Sequence, residues 1–184
     1  DERFARKLSQ LGDIYINDAF GSLHRNHAST ATIAKFFNNQ KAFGYLVINE
    51  LKQLKKATTN PSGPVTAIIG GAKISSKIDI IFSLINKVDN LIIGGGMAYT
   101  FIKSIGGEIG NSLVENDKLG VAKRLIEESA KKNVSLLLPV DSVNASEFNN
   151  DSNICNSQAQ NIPSGFIGLD IGEKSIGVFR ETIL

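Results

Sequence analysis

"AIIGGAKISSK", residues Ala67 to Lys77, decides how the chain is read. An apolar run stops at Gly70-Gly71, two lysines and two serines follow, and a helical pattern then takes over. Glycines at a strand exit allow a tight turn and close backbone approach. Ser75 or Ser76 is expected to cap the helix that follows, whose free N–H groups and positive dipole end suit a phosphate. Lys73 and Lys77 are four residues apart and can lie on one side of that turn. The stretch is not a Walker loop. Counted from Gly71, the second glycine position of G-x-x-x-x-G-K-[ST] holds Ser76, and Ile78 follows Lys77. An ordinary βα turn with solvated lysines is the competing reading of this stretch taken alone.

Downstream the pattern repeats. "VTAII" (65–69) predicts a buried strand, followed by a helix at about 75–87. "NLIIGGG" (90–96) predicts a second strand ending in glycines, with a helix from about 97 to 105. A long amphipathic helix is expected over 117–132, with Leu119, Val121, Ala122, Leu125 and Ile126 as its apolar side. "VSLLLPVD" (134–141) predicts a third strand, and "SIGVFRETIL" (175–184) reads as helix. Residues 144–165 are polar and are expected to form a long loop. Short apolar strands alternating with helices imply a parallel sheet covered on both faces. Ligands of such sheets bind at the carboxyl ends of the strands. Those ends carry Gly70-Gly71, Gly94-Gly95-Gly96 and Pro139-Val140-Asp141.

Upstream, "DERFARKLSQLG" (1–12) predicts a helix at about 2–11 with Phe4, Leu8 and Leu11 on one face. In "DIYINDAF" (13–20), Ile14 and Ile16 alternate with Tyr15 and Asn17, as in a short strand. "GSLHRNHAST" (21–30) is a polar loop. "GYLVINELKQLKKA" (44–57) predicts a helix carrying Leu46, Val47, Leu51 and Leu54, and "TTNPSGP" (58–64) marks a boundary.

The bulk properties narrow the function classes. The 184 residues suffice for one domain, or one plus part of another. A formal net charge of +2, spread along the chain, argues against a dedicated nucleic-acid binder. The one cysteine, Cys155, fits a reducing compartment. No apolar run reaches the roughly 18 residues of a membrane span, and no signal peptide is visible. The sole methionine is Met97, and both ends read as helix, so a piece of a longer protein is expected.

Two other stretches invite a chemical reading. "HRNH" holds both histidines, His24 and His27, around Arg25. No nearby Asp, Glu or Cys completes a metal set, so no metal site is expected. Arg25 can grip a phosphate or carboxylate with two N–H groups, the histidines adding donors; a solvated polar loop is the alternative. "IIGGGMAYTF" (92–101) invites the dinucleotide pattern G-x-G-x-x-G, but its third glycine position holds Tyr99. That disfavours a nicotinamide-dependent oxidoreductase, and Tyr99 and Phe101 are expected in the core.

"INDAFGSLHRNHAST", "IIGGAKISSKID", "LIIGGGMAYTF", "EIGNSL", "LLLPVD" and "GFIGLDIG" occur in that order and spacing. Together they resemble the phosphoglycerate kinase family over essentially all 184 residues, mapping to the middle of the family's chain. The resemblance implies an α/β fold: a Rossmann-like parallel sheet with helices on both faces, spanning the end of one domain and most of a second. It implies that residues 1–43 end an N-terminal, phosphoglycerate-binding domain, that 44–60 form an interdomain helix and linker, and that 61–184 begin a nucleotide-binding domain.

The activity implied is reversible phosphoryl transfer between ATP and 3-phosphoglycerate, giving ADP and 1,3-bisphosphoglycerate, a glycolytic step. Mg2+ would enter with the nucleotide, and this stretch by itself would not turn over. The implied setting is a cytoplasmic, monomeric parent with no nucleic-acid or membrane partner. By the same resemblance His24, Arg25 and His27 belong to the basic patch that holds phosphoglycerate, and Arg25 and Lys73 are catalytic. Lys73 would stand close to the phosphoryl group in flight and Lys77 would bind nucleotide phosphates. Gly71 and Ala72 would offer backbone beside the nucleotide, and Gly95, Gly96, Leu113 and Gly168 would lie around the adenine and ribose. Ser76 stands where many members carry aspartate, which weakens any direct or water-mediated metal contact there. A non-catalytic nucleotide- or phosphate-binding αβ module is the runner-up.

Overall fold

The computed structural model describes residues 1–59 and 63–184. The chain divides into two compact units, Asp1–Pro61 and Ser62–Leu184. Among the described residues, no helix is long and apolar enough to cross a membrane.

In the first unit, helix α1 (Glu2–Ser9) begins where the Asp1 carboxylate accepts the Phe4 N–H at 3.1 Å. It packs on a 3-10 turn (Thr32–Phe36) through Ala5, Ile33 and Phe37, with Tyr15 stacked on Phe37 at 5.8 Å. The expected face of Phe4, Leu8 and Leu11 is only partly right. Ala5 is buried, while Leu11 is 82% exposed beyond the helix end. Strands β1 (Tyr15–Asn17) and β2 (Lys41–Phe43) pair in parallel.

On β1 the isoleucines of the alternating pattern face outward, and the polar partners face in. Tyr15 donates to the carbonyls of Ser29 and Thr30, and Asn17 donates to Thr30 while accepting the Ala19 N–H. These bonds satisfy the polar groups on the covered side, which leaves Ile14 and Ile16 exposed. Helix α2 (Tyr45–Thr59) then starts against Asp18, whose carboxylate accepts the Val47 N–H at 3.0 Å.

In the second unit, β3 (Thr66–Ile69), β4 (Asn90–Ile93) and β6 (Ser135–Leu137) form a parallel sheet of order β3-β4-β6. Ala67, Ile69, Leu91 and Ile93 point to one face. There they meet α3 (Ile78–Leu84), α4 (Met97–Ser104) and α5 (Leu119–Lys131) in one core containing Ile81, Met97, Phe101, Ala122 and Leu125. Thr66 points to the opposite face, where its hydroxyl donates to the Thr182 carbonyl of α6 (Glu173–Ile183). The α/β parallel architecture is therefore as the periodicity required, with helices on both sides of the sheet. Helix α3 is shorter than the stretch 75–87 expected for it.

The polar stretch 144–165 is not a long loop, which corrects the sequence reading. Strand β5 (Glu108–Ile109) pairs in parallel with β9 (Asn161–Ile162). Strand β7 (Asp141–Ala145) pairs antiparallel with both β8 (Ile154–Gln158) and β10 (Ile167–Ile171). The side chains facing inward here are small and polar. Asn144, fully buried, donates to the Cys155 carbonyl and the Ser157 hydroxyl. A second apolar cluster of Tyr99, Ile102, Ile109, Ala159 and Ile162 lies beside them.

Asp141 fixes the start of α6. The helix has Gly172 at its N-cap and so no capping side chain of its own. The Asp141 carboxylate supplies the cap instead, accepting the N–H groups of Lys174 (3.0 Å) and Ser175 (2.8 Å) and the Ser175 hydroxyl. Burial works against this charge, but the bonds from Ser175 and Lys174 outweigh it and hold the pKa below the usual aspartate value. A depressed carboxylate contributes stability above its unfolded pKa of about 3.9 and loses it as pH falls through the lower folded value. Asp141→Ala is expected to cost about 1 kcal/mol at pH 7 in a urea titration, the usual size for a lost cap. The gap between the variant and the unsubstituted chain should close at pH values below the folded pKa.

Candidate functional site

The candidate site lies at the carboxyl ends of β3 and β4. Ile69 pairs with Ile93, so both strands leave the sheet at one level. The Gly94 N–H donates to the Ile69 carbonyl at 2.8 Å, and the Met97 N–H donates to the Gly71 carbonyl at 2.9 Å. The two glycine loops interlock. Gly71 has φ +147° and Gly95 φ +68°, and a Cβ on Gly95 would lie 2.9 Å from the Gly71 nitrogen. A Cβ on Gly96 would lie 3.3 Å from both the Ala72 carbonyl oxygen and Leu113 Cδ2. Gly71, Ala72, Gly95, Gly96 and Leu113 are thus brought together.

Lys73 and Lys77 leave the chain beside these loops. Ile74, between Lys73 and Ser75, is fully buried in the main core, while Lys73 is exposed. Lys77 folds back over the glycine exit, its Cε 3.1 Å from where a Gly71 Cβ would stand. Neither ammonium group is in an ion pair among the described residues. Among the described residues the ion pairs are Lys118–Asp117 and Lys131–Glu128, each at 2.9 Å.

The expected serine cap is overturned. Helix α3 starts at Ile78, and its N-cap residue Lys77 makes no side-chain cap bond. The Ser76 hydroxyl turns back to the Lys73 carbonyl at 3.0 Å. Ser75 is held by Glu115, whose carboxylate accepts both the Ser75 N–H (3.0 Å) and the Ser75 hydroxyl. The Ser75 hydroxyl thus donates to a charged carboxylate and caps no N–H of α3. The Ser75 hydroxyl is the main reason that the Glu115 pKa lies below its ordinary value.

Gly168 joins the group at one remove. It is buried, its N–H donates to the Ser112 hydroxyl at 2.9 Å, and the Tyr99 hydroxyl occupies the space a Cβ would need. Tyr99 and Phe101 lie in the core as expected, with the Tyr99 hydroxyl 2.9 Å from Ser142 Oγ. Sequence reasoning missed Ser112, Glu115 and Thr100, whose hydroxyl accepts the Glu115 N–H at 3.2 Å. Each acts on a residue distant in the sequence, so no local motif signals it.

In the first unit His24, Arg25 and His27 sit together on one exposed turn. Its backbone is fixed by Arg25 N–H to the Ser22 carbonyl (3.0 Å) and His27 N–H to the Arg25 carbonyl (2.9 Å). The Thr30 hydroxyl also donates to the Arg25 carbonyl at 2.9 Å. A pocket of about 550 Å³ in this unit is lined by Tyr15, Asn17, Leu23, Thr30, Lys41 and Phe43 but not by Arg25 or either histidine. Its size does not make it the candidate site: its only ammonium group, on Lys41, already donates to the Ala34 carbonyl at 2.9 Å. Among the described residues no group of three or more His, Cys, Asp or Glu side chains could hold a metal ion.

Comparison with known proteins places this geometry. A family model described as phosphoglycerate kinase matches residues 1–184. The chain is 48% identical over 183 residues to the phosphoglycerate kinase of Clostridium novyi (strain NT), covering 100% of this chain and 46% of that one. It is 48% identical over 186 residues to that of Porphyromonas gingivalis (strain ATCC BAA-308 / W83), covering 100% of this chain and 44% of the other. The structure of phosphoglycerate kinase from Coxiella burnetii superposes with a TM-score of 0.85 at 38% identity, over 100% of this chain and 47% of that one. The enzyme from Pyrococcus horikoshii OT3 superposes at 0.72 with 20% identity, over 100% of this chain and 48% of that one, a likeness of fold alone. The chain spans about half the length of the curated relatives it matches. On the match over its whole length, the chain belongs to the phosphoglycerate kinase family.

Proposed function

We propose that this chain supplies part of an enzyme that transfers a phosphoryl group reversibly between ATP and 3-phosphoglycerate, giving ADP and 1,3-bisphosphoglycerate in glycolysis. The observation that carries the reading is the edge of β3 and β4. Two interlocked glycine loops there stand beside two lysines whose ammonium groups are in no ion pair among the described residues. Phosphoryl transfer through a loose transition state needs positioning and positive charge on the migrating oxygens more than covalent help.

In this reading Ser62–Leu184 holds the nucleotide and Asp1–Pro61 the end of the phosphoglycerate-binding domain, with α2 as the connecting helix. Lys77, folded over Gly71, binds nucleotide phosphates, and the exposed Lys73 attends the group in transit. The backbone at Gly71 and Ala72 lies beside the nucleotide, and Gly95, Gly96, Leu113 and Gly168 border its base and sugar. Arg25, with His24 and His27, grips the phosphoglycerate. The Mg2+ of this proposal travels with the nucleotide, and no step above rests on it. The reading carries with it a cytoplasmic, monomeric enzyme acting on small molecules, in accord with the unpaired Cys155.

The test uses a full-length chain carrying this sequence, assayed for ATP consumption dependent on 3-phosphoglycerate. No such consumption would end the proposal. Lys73→Ala should lower kcat by roughly 10²–10³, the effect of removing one preorganised electrostatic donor. Lys77→Ala should chiefly raise the KM for ATP. Equal KM effects with kcat untouched in both variants would strip Lys73 of its catalytic role.

Arg25→Ala should weaken 3-phosphoglycerate by about 1.5–3 kcal/mol, the range for a charged hydrogen bond, with ATP affinity little changed. Titration of each ligand separately checks this, and a loss falling on ATP would reverse the assignment of the two units.

A further inference from the structure

Glu115 has no part in the function proposed above, yet among the described residues it is the one carboxylate bonded to the lysine loop. Its two oxygens accept the N–H of Ser75 at 3.0 Å and the Ser75 hydroxyl. Its own N–H donates to the hydroxyl of Thr100, a residue of α4 that is 1% exposed. Helix α4 is the one that follows Gly94-Gly95-Gly96, so Glu115 links the element behind one glycine loop to the lysine loop behind the other. Two residues earlier, Leu113 touches the space above Gly96, and Ser112 receives the Gly168 N–H.

The loop between Gly71 and α3 is held at two points. Ile74 is fully buried beneath it, and Ser75 is bound by Glu115 at the surface. Lys73 precedes the first point and Lys77 follows the second. Holding Ile74 and Ser75 in one orientation therefore sets the direction in which both lysines leave the backbone. Glu115 pairs with neither lysine, so its charge acts on backbone and hydroxyl donors, not on the ammonium groups.

We infer that Glu115 is a positioning residue for phosphate binding, acting through Ser75 on Lys73 and Lys77. The inference rests on the phosphotransfer reading above and adds to it a residue that touches no substrate. Loss of a carboxylate that merely stabilised the fold would lower the melting temperature and affect both substrates alike. One that aims the lysines would show itself selectively on the nucleotide, and only while the lysines are present.

The experiment again uses a full-length chain carrying this sequence. Glu115→Gln keeps the shape but presents an amide N–H₂ to a Ser75 donor, and Ser75→Ala removes the hydroxyl from the other side. Each should raise the KM for ATP roughly tenfold, the size of one charge-assisted hydrogen bond, and leave the KM for 3-phosphoglycerate unchanged. In a double-mutant cycle, Glu115→Gln should have little further effect once Lys77→Ala is in place, because the two act as one unit. If Glu115→Gln does not fold, Ser75→Ala and its own cycle with Lys77→Ala decide the matter. Unchanged KM for ATP in the folded variants, or effects that simply add, would overturn the inference while the unsubstituted chain still turned over. Absence of turnover in the unsubstituted chain would instead bring down the kinase reading and this inference together.

Discussion

The close approach of Gly71 and Gly95 is the constraint on which the second unit turns. Parallel pairing of β3 and β4 in register delivers both chains to the same edge at the same level. The residues that follow must share one space. A side chain at 95 would strike the backbone of Gly71, and the φ of +68° there is one that L side chains rarely adopt. Glycine is thus demanded by the packing of the loops on each other before any ligand is considered. The bond from the Met97 N–H to the Gly71 carbonyl then ties the first turn of α4 to the exit of β3.

Below this edge lies the apolar support. Ile74, Ile81, Leu91, Met97, Phe101 and Leu125 come from five successive pieces of chain and meet in one core. Full burial of an isoleucine is worth about 1.5–3 kcal/mol, against about 1 kcal/mol for a typical net hydrogen bond. So Ile74 fixes where the lysine loop sits, and the bond from Ser75 to Glu115 adjusts how it is turned. The lysines gain direction from a core residue that carries no chemistry itself.

The strands, the glycine exits and the two lysines were legible because each is written in contiguous residues: an apolar run, a Gly pair, a helical period. Strand β8 was not. Its inward residues, Cys155 and Ser157, look like loop residues, and only the buried Asn144 on β7 makes them acceptable inside. The phase of β1 was hidden for the same reason, since Tyr15 and Asn17 turn inward only because the carbonyls of Ser29 and Thr30 await them. The start of α3 was misplaced because the acceptor that claims Ser75 stands 40 residues further on. Local pattern reads what local sequence determines, and polar side chains satisfied across the fold lie beyond its reach.

That same contrast explains how a carboxylate can stand near Lys73 and Lys77 without neutralising them. A carboxylate paired with Lys73 or Lys77 would hold the ammonium group in place but would compete with an incoming phosphate for it. Left unpaired at the surface, a lysine loses little, since an exposed ion pair is worth about 0–1 kcal/mol. Glu115 spends its oxygens on the donors of Ser75, which holds its pKa down and keeps it charged without neutralising either lysine. The described ion pairs lie elsewhere, within the segment 117–118 and on α5. The strand edge therefore keeps both ammonium groups out of ion pairs among the described residues, with the Glu115 charge committed to the Ser75 donors.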